Sequence, residues 1–398
     1  MNANRTSVKV VRTIQTLPEM AFEAFAYECR LREWMCDGAR SVPRKGGLIQ
    51  VWWNSGYEAR GVFTSYSPPR ALKTAGSLAF TWLGTGEPGE TNVKIALKPV
   101  EGGTQVTLTH SGFGTGKKWV GRAEEAEREW NGGLDNLKST LETGLDLRQM
   151  NQPRLGLGWE TAPGETGALV IAVIGGGPCE RAGLTRGDVI ASFAGRKVKS
   201  EQDLLTIFYA CRAGQRVPVA FLREGKRRKT TVELGTRPVH QVPDDPAVLV
   251  EQVRQAHEQA IAALRTAVMM VVSDEKAGIA PAEGEWSVKQ VLAHLSGAER
   301  GFHAWVANVL IGEQTPITGN LPEQFAAILA SAPTVGALVD RFERDLAESR
   351  AIVASLTPEH HANKWRYRQI AQMFTDFAAH TAEHTQQIQA AIRAVQGT

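Results

Sequence analysis

The spacing of hydrophobic and polar residues changes twice along the chain. In residues 1 to about 148, apolar and polar positions alternate in short runs, among them 93–97 and 104–109, which is typical of strands with one buried face. The segment closes with apolar residues at every third or fourth position between 118 and 143, which predicts a long amphipathic helix. We therefore expect an antiparallel sheet curled around one long helix.

The second pattern covers residues 152 to 237. Short apolar runs at 168–173, 217–223 and 230–234 predict strands, and many glycines separate them. One short helix is predicted near residues 200–205. This segment is expected to form a small β-rich domain.

The third pattern, from residue 246 to 398, is almost entirely helical. A linker is predicted before it, in the proline-containing stretch 238–246. Four segments carry apolar residues at helical spacing, and Ser287 is positioned to cap the second of them. We expect an antiparallel four-helix bundle with one long crossing between the second and third helices. The fold class predicted for the whole chain is therefore multidomain α+β, with domains at 1–148, 152–237 and 246–398.

Composition and charge exclude several classes of function. The chain has 398 residues, 22% of them charged, and a net charge of +3, which is too weak a balance to indicate nucleic-acid binding. The densest basic run, Arg223 to Lys229, contains four consecutive basic residues at 226–229 and is interpreted as a solvated hairpin tip between two strands. No apolar stretch reaches the roughly 18 residues of a membrane span, and none opens the sequence as an export signal would. Neither a membrane nor nucleic acid is therefore expected as a partner.

The four cysteines show neither a CxxC motif nor the spacing of metal ligands. We interpret them as free thiols, which predicts a reducing cytoplasmic environment. They are Cys29, Cys36, Cys179 and Cys211.

Two histidines four residues apart, His380 and His384, are the strongest chemical signal. Four residues are about one helical turn, so both rings lie on one face, together with Phe377 and Ile388. Burying basic rings among apolar residues is costly unless their nitrogens find a partner, and a divalent metal is one such partner. His294 lies on a similar apolar stripe far upstream. The trio predicts a three-histidine metal site.

Three imidazoles suit several transition metals, of which zinc or nickel is expected and iron or copper remains compatible. The fourth coordination position would be open, as in catalytic zinc sites. Other nearby side chains are expected to play no part. His303 lies half a turn round the helix, His360 and His361 are placed in a loop, and Glu383 is expected to face solvent.

The first segment resembles the SRPBCC (START-like) superfamily, in the branch named for the chaperone-ATPase activator. The residues that carry this resemblance are Pro18 to Phe25, Trp34, Thr109 to Phe113, and the helix with Trp130, Leu134 and Leu137. It implies a helix-grip domain with a cavity for a small apolar ligand between helix and sheet. Five tryptophans are candidates to line it, Trp52, Trp53, Trp82, Trp119 and Trp130, and all except Trp53 are assigned as ligand-cavity residues. The alternative is that these tryptophans only fill a core. His110 is expected to be structural.

The second segment is similar to bacterial PDZ domains of the kind attached to periplasmic proteases. Pro178, Ala182 to Leu184 and Gly187 to Ile190 carry this resemblance. The glycines among Leu155, Gly156, Leu157 and Gly158 allow successive N–H groups to converge into an anion nest. The resemblance implies that the nest takes the carboxylate of a peptide or protein C-terminus, with the peptide added beside residues 157–160. Asp203 and Leu204 would contact its side chains.

Two further points limit this interpretation. Such a domain can also serve only to brace its neighbours. No GxSxG motif accompanies it, so proteolysis is not expected.

The third segment, roughly residues 247–396, resembles the DinB-like superfamily. The motifs are Glu285 to Leu295 and His380 to Ile388. In that superfamily one histidine of the second helix and an HxxxH pair of the fourth bind a divalent metal, which here implies His294, His380 and His384. Some members transfer low-molecular-weight thiols to electrophiles or isomerise small acids.

Two function classes follow from these features. The leading hypothesis is a cytosolic binding or adaptor protein, because two of the three domains carry binding features without a catalytic set. The rival is a metal-dependent thiol S-transferase, or a related small-molecule enzyme, in stress response or detoxification. A third hypothesis is that the metal only stabilises the fold of the bundle. No catalytic residue is assigned, and a homodimer is left open.

Overall fold

The computed structural model describes residues 5–71, 74–236, 239, 241–313 and 321–396. Residues 1–4 of the N-terminal segment and residues 238 and 240 of the expected linker lie outside this description. The chain divides into two compact units, Met1–Thr140 with Leu145–Val239 and Leu141–Gly144 with His240–Thr398. The first unit holds two sheets and the second is helical. The predicted fold class, multidomain α+β, is confirmed, whereas the three domain boundaries stay a prediction.

The first sheet has seven antiparallel strands in the order β1-β7-β6-β5-β4-β3-β2. The strands alternate between buried and accessible positions, because every second side chain points into the core. The strands are β1 (Ser7–Ile14), β2 (Gly38–Ser41), β3 (Leu48–Trp52), β4 (Glu58–Ser67), β5 (Gly76–Gly84), β6 (Thr91–Val100) and β7 (Gly103–Ser111).

The expected long helix packs its apolar stripe on this sheet. It begins at Arg122 rather than near 118, because residues 117–119 form a separate 3-10 turn. Leu134 and Leu137 are completely buried, and the Trp130 ring lies 5.8 Å from that of Trp82. The helices of this region are α1 (Pro18–Ala26), α2 (Glu28–Trp34), α3 (Arg122–Thr143) and α4 (Leu147–Met150).

The second sheet follows the order β13-β12-β10-β9-β8, and the short β11 pairs with β10. Its elements are β8 (Leu157–Thr161), β9 (Ala168–Val173), α5 (Pro178–Arg181), β10 (Val189–Phe193), β11 (Arg196–Lys197), α6 (Glu201–Tyr209), β12 (Arg216–Arg223) and β13 (Lys226–Glu233). Strand β8 stands at one edge of the sheet, and α6 contacts it.

The hairpin expected within the basic run 223–229 is present, but the four consecutive basic residues 226–229 do not form its tip. These four residues begin strand β13 and are all exposed. The turn consists of Glu224 and Gly225, both with positive φ angles (52° and 74°), which is the geometry of a two-residue hairpin loop. The sequence pattern does not reveal this part of the strand, because residues 226–229 include no apolar residue to show the alternation of an edge strand.

The helical unit contains the four predicted long helices and two short ones. The long helices are α7 (Pro246–Val268), α8 (Val288–Ile311), α10 (Val335–Ala354) and α12 (Lys364–Gln396), and the short ones are α9 (Pro322–Ser331) and α11 (Pro358–Ala362). Helix α9 lies in the long crossing between α8 and α10. The predicted cap is confirmed, since Ser287 Oγ accepts from Gln290 N at 3.2 Å and Gln290 Oε1 accepts from Ser287 N at 2.8 Å.

Among the described residues, no single helix is long and apolar enough to cross a membrane. The pair α9 and α10, bent by 113° at its junction, satisfies that criterion by length and composition only.

Candidate functional site

Three imidazoles converge between α8 and α12. His294 comes from α8, and His380 and His384 lie one turn apart on α12. The Nε2 atom of His380 is 3.0 Å from Nε2 of His294 and 3.1 Å from Nε2 of His384. One ligand nitrogen from each ring lies within 4.8 Å of the other two. The predicted trio is therefore brought together.

These separations fit ligands that share one ion. Nitrogens bound at 2.0–2.1 Å with tetrahedral angles are about 3.3 Å apart. The donor set consists of imidazole nitrogens only, which suits zinc and nickel better than the hard cations. Three protein ligands leave one tetrahedral position for water or a substrate.

The electrostatics of the site keep the His380 ring in the form that binds metal. His294 is 8% exposed, and His380 and His384 are half-buried. Burial first, and then the neighbouring His384 and His294, lower the pKa of His380 to about 4. Its imidazole is therefore neutral at neutral pH, as ligation requires.

A residue not predicted from the sequence orients one ligand. His384 Nδ1 lies 2.7 Å from Gln387 Oε1. Because an amide oxygen only accepts, Nδ1 carries the hydrogen and Nε2 keeps its lone pair for a metal. The available signal was the spacing of three residues, which places Gln387 beside His384 on one helical face.

Aromatic rings form one wall of the site. The Trp286 ring lies 4.9 Å from that of His294 and stacks at 20° on His384, with centroids 6.3 Å apart. Phe377 lies 5.7 Å from His380. Such a wall limits access of water to the ligand side of the rings.

The remaining histidines lie as follows. His303 hydrogen-bonds Ser349 Oγ at 2.7 Å, away from the trio as predicted. His360 and His361 are not in a loop but in α11, where His360 Nδ1 accepts from Thr357 N at 3.1 Å as part of a capping box. Glu383 is exposed, as expected.

The seven-stranded sheet and α3 enclose a cavity of about 560 Å³. The candidates Trp53, Trp82, Trp119 and Trp130 line it, together with Trp34. Trp52 does not: it is 36% exposed and lines a shallow surface depression beside α2. Neighbouring residues of an extended chain point to opposite sides, so the cavity receives Trp53 instead.

His110 at the cavity floor is a structural residue. Its Nδ1 accepts from Trp130 Nε1 at 3.0 Å, so its hydrogen must be on Nε2, which donates to Thr91 Oγ1 at 2.7 Å. Thr91 Oγ1 in turn donates to Trp82 O at 3.0 Å. Burial lowers the pKa of His110 to about 4. The ring is neutral and both nitrogens are engaged.

The predicted peptide site lies at the edge of the second sheet. Among the described strands, β8 pairs only with β9, so its outer edge has no strand partner. Gly156 has a φ of 71°, and a Cβ there would lie 3.2 Å from Gly177 Cα, which explains the glycine. Leu155 and Leu157 are buried in the core of this sheet.

The residues expected to read the peptide side chains are placed differently. Leu204 is 0% exposed, so it belongs to the core, and Asp203 accepts from Lys199 N at 2.9 Å in the capping turn of α6. Different residues make the contacts between β8 and α6. Trp159 lies 6.3 Å from the Phe208 ring, and Thr161 Oγ1 accepts from Glu201 N at 3.1 Å. Which residues of α6 face β8 depends on the rotation of the helix about its axis, and the sequence alone determines that rotation poorly.

Comparison with known families covers most of the chain in three pieces. Residues 15–142 match the family described as "Activator of Hsp90 ATPase homolog 1-like protein". Residues 153–234 match the PDZ domain, and residues 249–388 match the DinB superfamily. The chain combines an activator-like domain, a PDZ domain and a DinB-like domain. The three predicted resemblances are confirmed in this order.

Curated relatives match part of the chain. A probable periplasmic serine endoprotease DegP-like protein of Rhizobium meliloti (strain 1021) is 37% identical over 100 residues, 25% of this chain and 20% of that protein. A protein of the same description from Pseudomonas savastanoi pv. phaseolicola is 28% identical over 138 residues, 34% of this chain and 28% of that protein. The chain thus spans less than a third of the length of either relative.

Two solved structures that are similar to the chain each cover about a third of it. A crystal structure of a Mesorhizobium loti protein is 20% identical with a TM-score of 0.30, covering 34% of this chain and 96% of that one. The Aha1 dimer from Colwellia psychrerythraea is 20% identical with a TM-score of 0.29, covering 35% and 97%.

Proposed function

We propose that the protein is a multidomain binding protein with three ligands of different chemistry. Its PDZ domain takes the C-terminal segment of a peptide or protein, its activator-like domain takes a small ligand with an apolar body, and its DinB-like bundle holds a divalent metal, zinc or nickel. The observation that carries the proposal is the unpaired outer edge of β8 beside α6. The four free cysteines support a cytoplasmic setting as part of the same proposal.

The edge of β8 supports peptide binding for a physical reason. A strand at the edge of a sheet presents unpaired N–H and C=O groups, and an extended peptide satisfies them by adding as a further strand. Trp159 on β8 and Phe208 on α6 supply aromatic surface next to that edge. The positive φ of Gly156 turns the backbone just before the strand begins, where a terminal carboxylate would lie.

A displayed library of free C-terminal peptides tests the PDZ part of the proposal. Selected peptides should bind the full chain, and amidation of their C-terminus should weaken binding at least tenfold, because a charged hydrogen-bonded group is lost. Trp159→Ala should weaken binding to a similar extent. Ile171→Ala, on an exposed position of the neighbouring β9, is the matched control and should not. A library that yields no binder would contradict this part.

A second candidate function is favoured by the three-ligand site. A metal held by three imidazoles keeps a coordination position for a small molecule, and a bound metal stabilises a thiolate. We therefore keep a metal-dependent thiol S-transferase as the alternative. In such an enzyme the histidines would hold the metal, and the Trp286 ring would form one side of the substrate space next to it.

The alternative is tested with metal-loaded protein, a panel of electrophiles, and bacillithiol, mycothiol or glutathione as thiol. Activity should be lost in His380→Ala while the helical circular dichroism signal persists. Lack of turnover with all three thiols would contradict it. If removal of the metal unfolds the bundle instead, the ion is structural.

A further inference from the structure

We propose that the cavity of the activator-like domain selects an organic cation, an aromatic or alkyl ammonium compound, over neutral and anionic molecules of the same size. This inference rests on the proposed function, which gives the domain a small ligand. A volume of about 560 Å³ suits a small molecule. Three of the lining residues, Trp34, Trp82 and Trp130, are less than 10% exposed, so one part of the cavity is lined by buried aromatic rings.

The walls offer several aromatic faces at steep angles to one another. Trp82 and Trp130 lie 5.8 Å apart with planes at 60°. Phe113 and Trp119 lie 6.1 Å apart at 80°. Aromatic faces arranged around a common space attract cations, tryptophan most strongly, and this attraction increases when water is excluded.

The positive charges of the cavity are already neutralised. Arg122 pairs with Glu125 at 2.9 Å, and Arg148 pairs with Asp146 at 2.8 Å. The ring of His110 is neutral, as its hydrogen bonds require. The net charge of these groups is therefore zero, although the buried Nη1 atom of Arg148 has no hydrogen-bond partner among the described residues.

Two further carboxylates remain. Glu87 accepts hydrogen bonds from Tyr57 Oη at 2.8 Å and from Gly84 N at 3.0 Å, which fixes its position in the wall. Glu129 forms no ion pair with any residue in the described part of the chain. Its side chain is exposed, yet partial desolvation by the surrounding protein first, and then the charges of Glu125 and Glu87, raise its pKa, while Arg128 and Arg122 partly oppose the rise. A cation bound between Glu87 and Glu129 would relieve this repulsion.

Two adjacent glycines in α3 leave the space that such a ligand would fill. Gly132 and Gly133 both line the cavity. A Cβ at Gly133 would meet only Trp34 Cζ3, at 3.6 Å, and one at Gly132 would meet nothing within 4 Å. Glycine is unfavourable in the middle of a helix, so the pair keeps volume open at the expense of helix stability.

The test measures binding of benzyltrimethylammonium, benzyl alcohol and phenylacetate to the full chain by calorimetry. The cation should bind at least about tenfold more tightly than the alcohol, and phenylacetate more weakly than either. Glu129→Gln and Glu87→Gln should each weaken cation binding about tenfold and leave benzyl alcohol unchanged. Glu124→Gln, exposed on the same helix, is the matched control and should change neither. Gly133→Leu should abolish binding of all probes without loss of the fold.

The experiment distinguishes failure of the charge selection from failure of the ligand site itself. Equal affinity for the cation and the alcohol, or tighter binding of phenylacetate, would overturn the charge selection while the proposed ligand site stands. Absence of binding by all three probes, or binding that persists in Gly133→Leu, would overturn the ligand site and the charge selection together.

Discussion

Gln387 holds His384 in one tautomer: its side-chain oxygen lies 2.7 Å from Nδ1 of that histidine. The hydrogen on Nδ1 leaves Nε2 free to donate its lone pair, and it is Nε2 that lies 3.1 Å from Nε2 of His380. A single amide thus fixes both the orientation and the tautomer of one candidate ligand. Partners of this kind affect metal affinity nearly as strongly as the ligands themselves.

Removal of this amide should therefore weaken metal binding. In Gln387→Leu we expect the affinity for zinc to fall by about 10–100-fold, because the ring loses its orienting partner while all three ligands remain. Competition with a chromophoric chelator measures this affinity. Gln386→Leu, exposed on the same helix, is the control and should bind zinc as the wild type does. Equal affinities for the two variants would show that the contact plays no role.

Glu299 makes the stability of the bundle depend on pH. The side chain is 2% exposed, and Ser349 Oγ donates to its Oε2 at 2.6 Å. Burial raises the pKa of Glu299 from 4.5 to about 7, and Asp345 adds to the rise while the bond from Ser349 opposes it. Because the folded state then holds a proton that the unfolded state releases, stability should fall as the pH rises from about 4.5 to 7.

The isosteric Glu299→Gln removes this dependence. Above pH 7 the variant should be more stable than the wild type, by at most about 3 kcal/mol, and near pH 4.5 the difference should disappear. Urea denaturation followed at 222 nm, at pH 5 and pH 8, provides the comparison. The exposed Glu283→Gln should match the wild type at both values. A variant less stable than the wild type at pH 8 would contradict the assignment.

Gly133 leaves space in the cavity but lowers the stability of α3, so a substitution there should affect stability and cavity volume in opposite ways. Gly133→Ala should raise the free energy of unfolding by about 0.5–1 kcal/mol, since alanine is the better helix former and its Cβ meets Trp34 at an ordinary contact distance. Gly103→Ala is the opposing control. Its φ is 145° and its Cβ would lie 2.1 Å from Ile14 O, so it should destabilise the same domain. Thermal unfolding of both variants measures the contrast, and a destabilised Gly133→Ala would contradict it.

Much of the architecture could be predicted from the sequence, because the hydrophobic period differs clearly between its segments. The capping box at Ser287 and the helical spacing of His380 and His384 are local features, and local spacing fixes them. Side chains at strand ends were less predictable. Trp52 and Trp53 are adjacent and chemically identical, and only the sheet decides which of them enters the cavity.

Other features depend on contacts that spacing does not reveal. The strand character of residues 226–229 is hidden because these four residues are all charged and exposed, while the one buried apolar residue of β13, Val232, lies further along the strand. Leu204 is buried and Trp159 meets Phe208 because of the register of α6 against β8. The hydrogen bonds of His110 join β7 to α3 and β6, which are far apart in sequence. These are tertiary relationships, and the sequence pattern is silent on them.

Native mass spectrometry of the full chain, combined with elemental analysis, tests the metal site most directly. After incubation with zinc or nickel and removal of excess ion, the wild type should carry one divalent ion per chain, and His294→Ala, His380→Ala and His384→Ala should each lose it while remaining folded. A wild-type chain that carries no ion, or an ion retained at full occupancy in all three variants, would contradict the three-histidine centre.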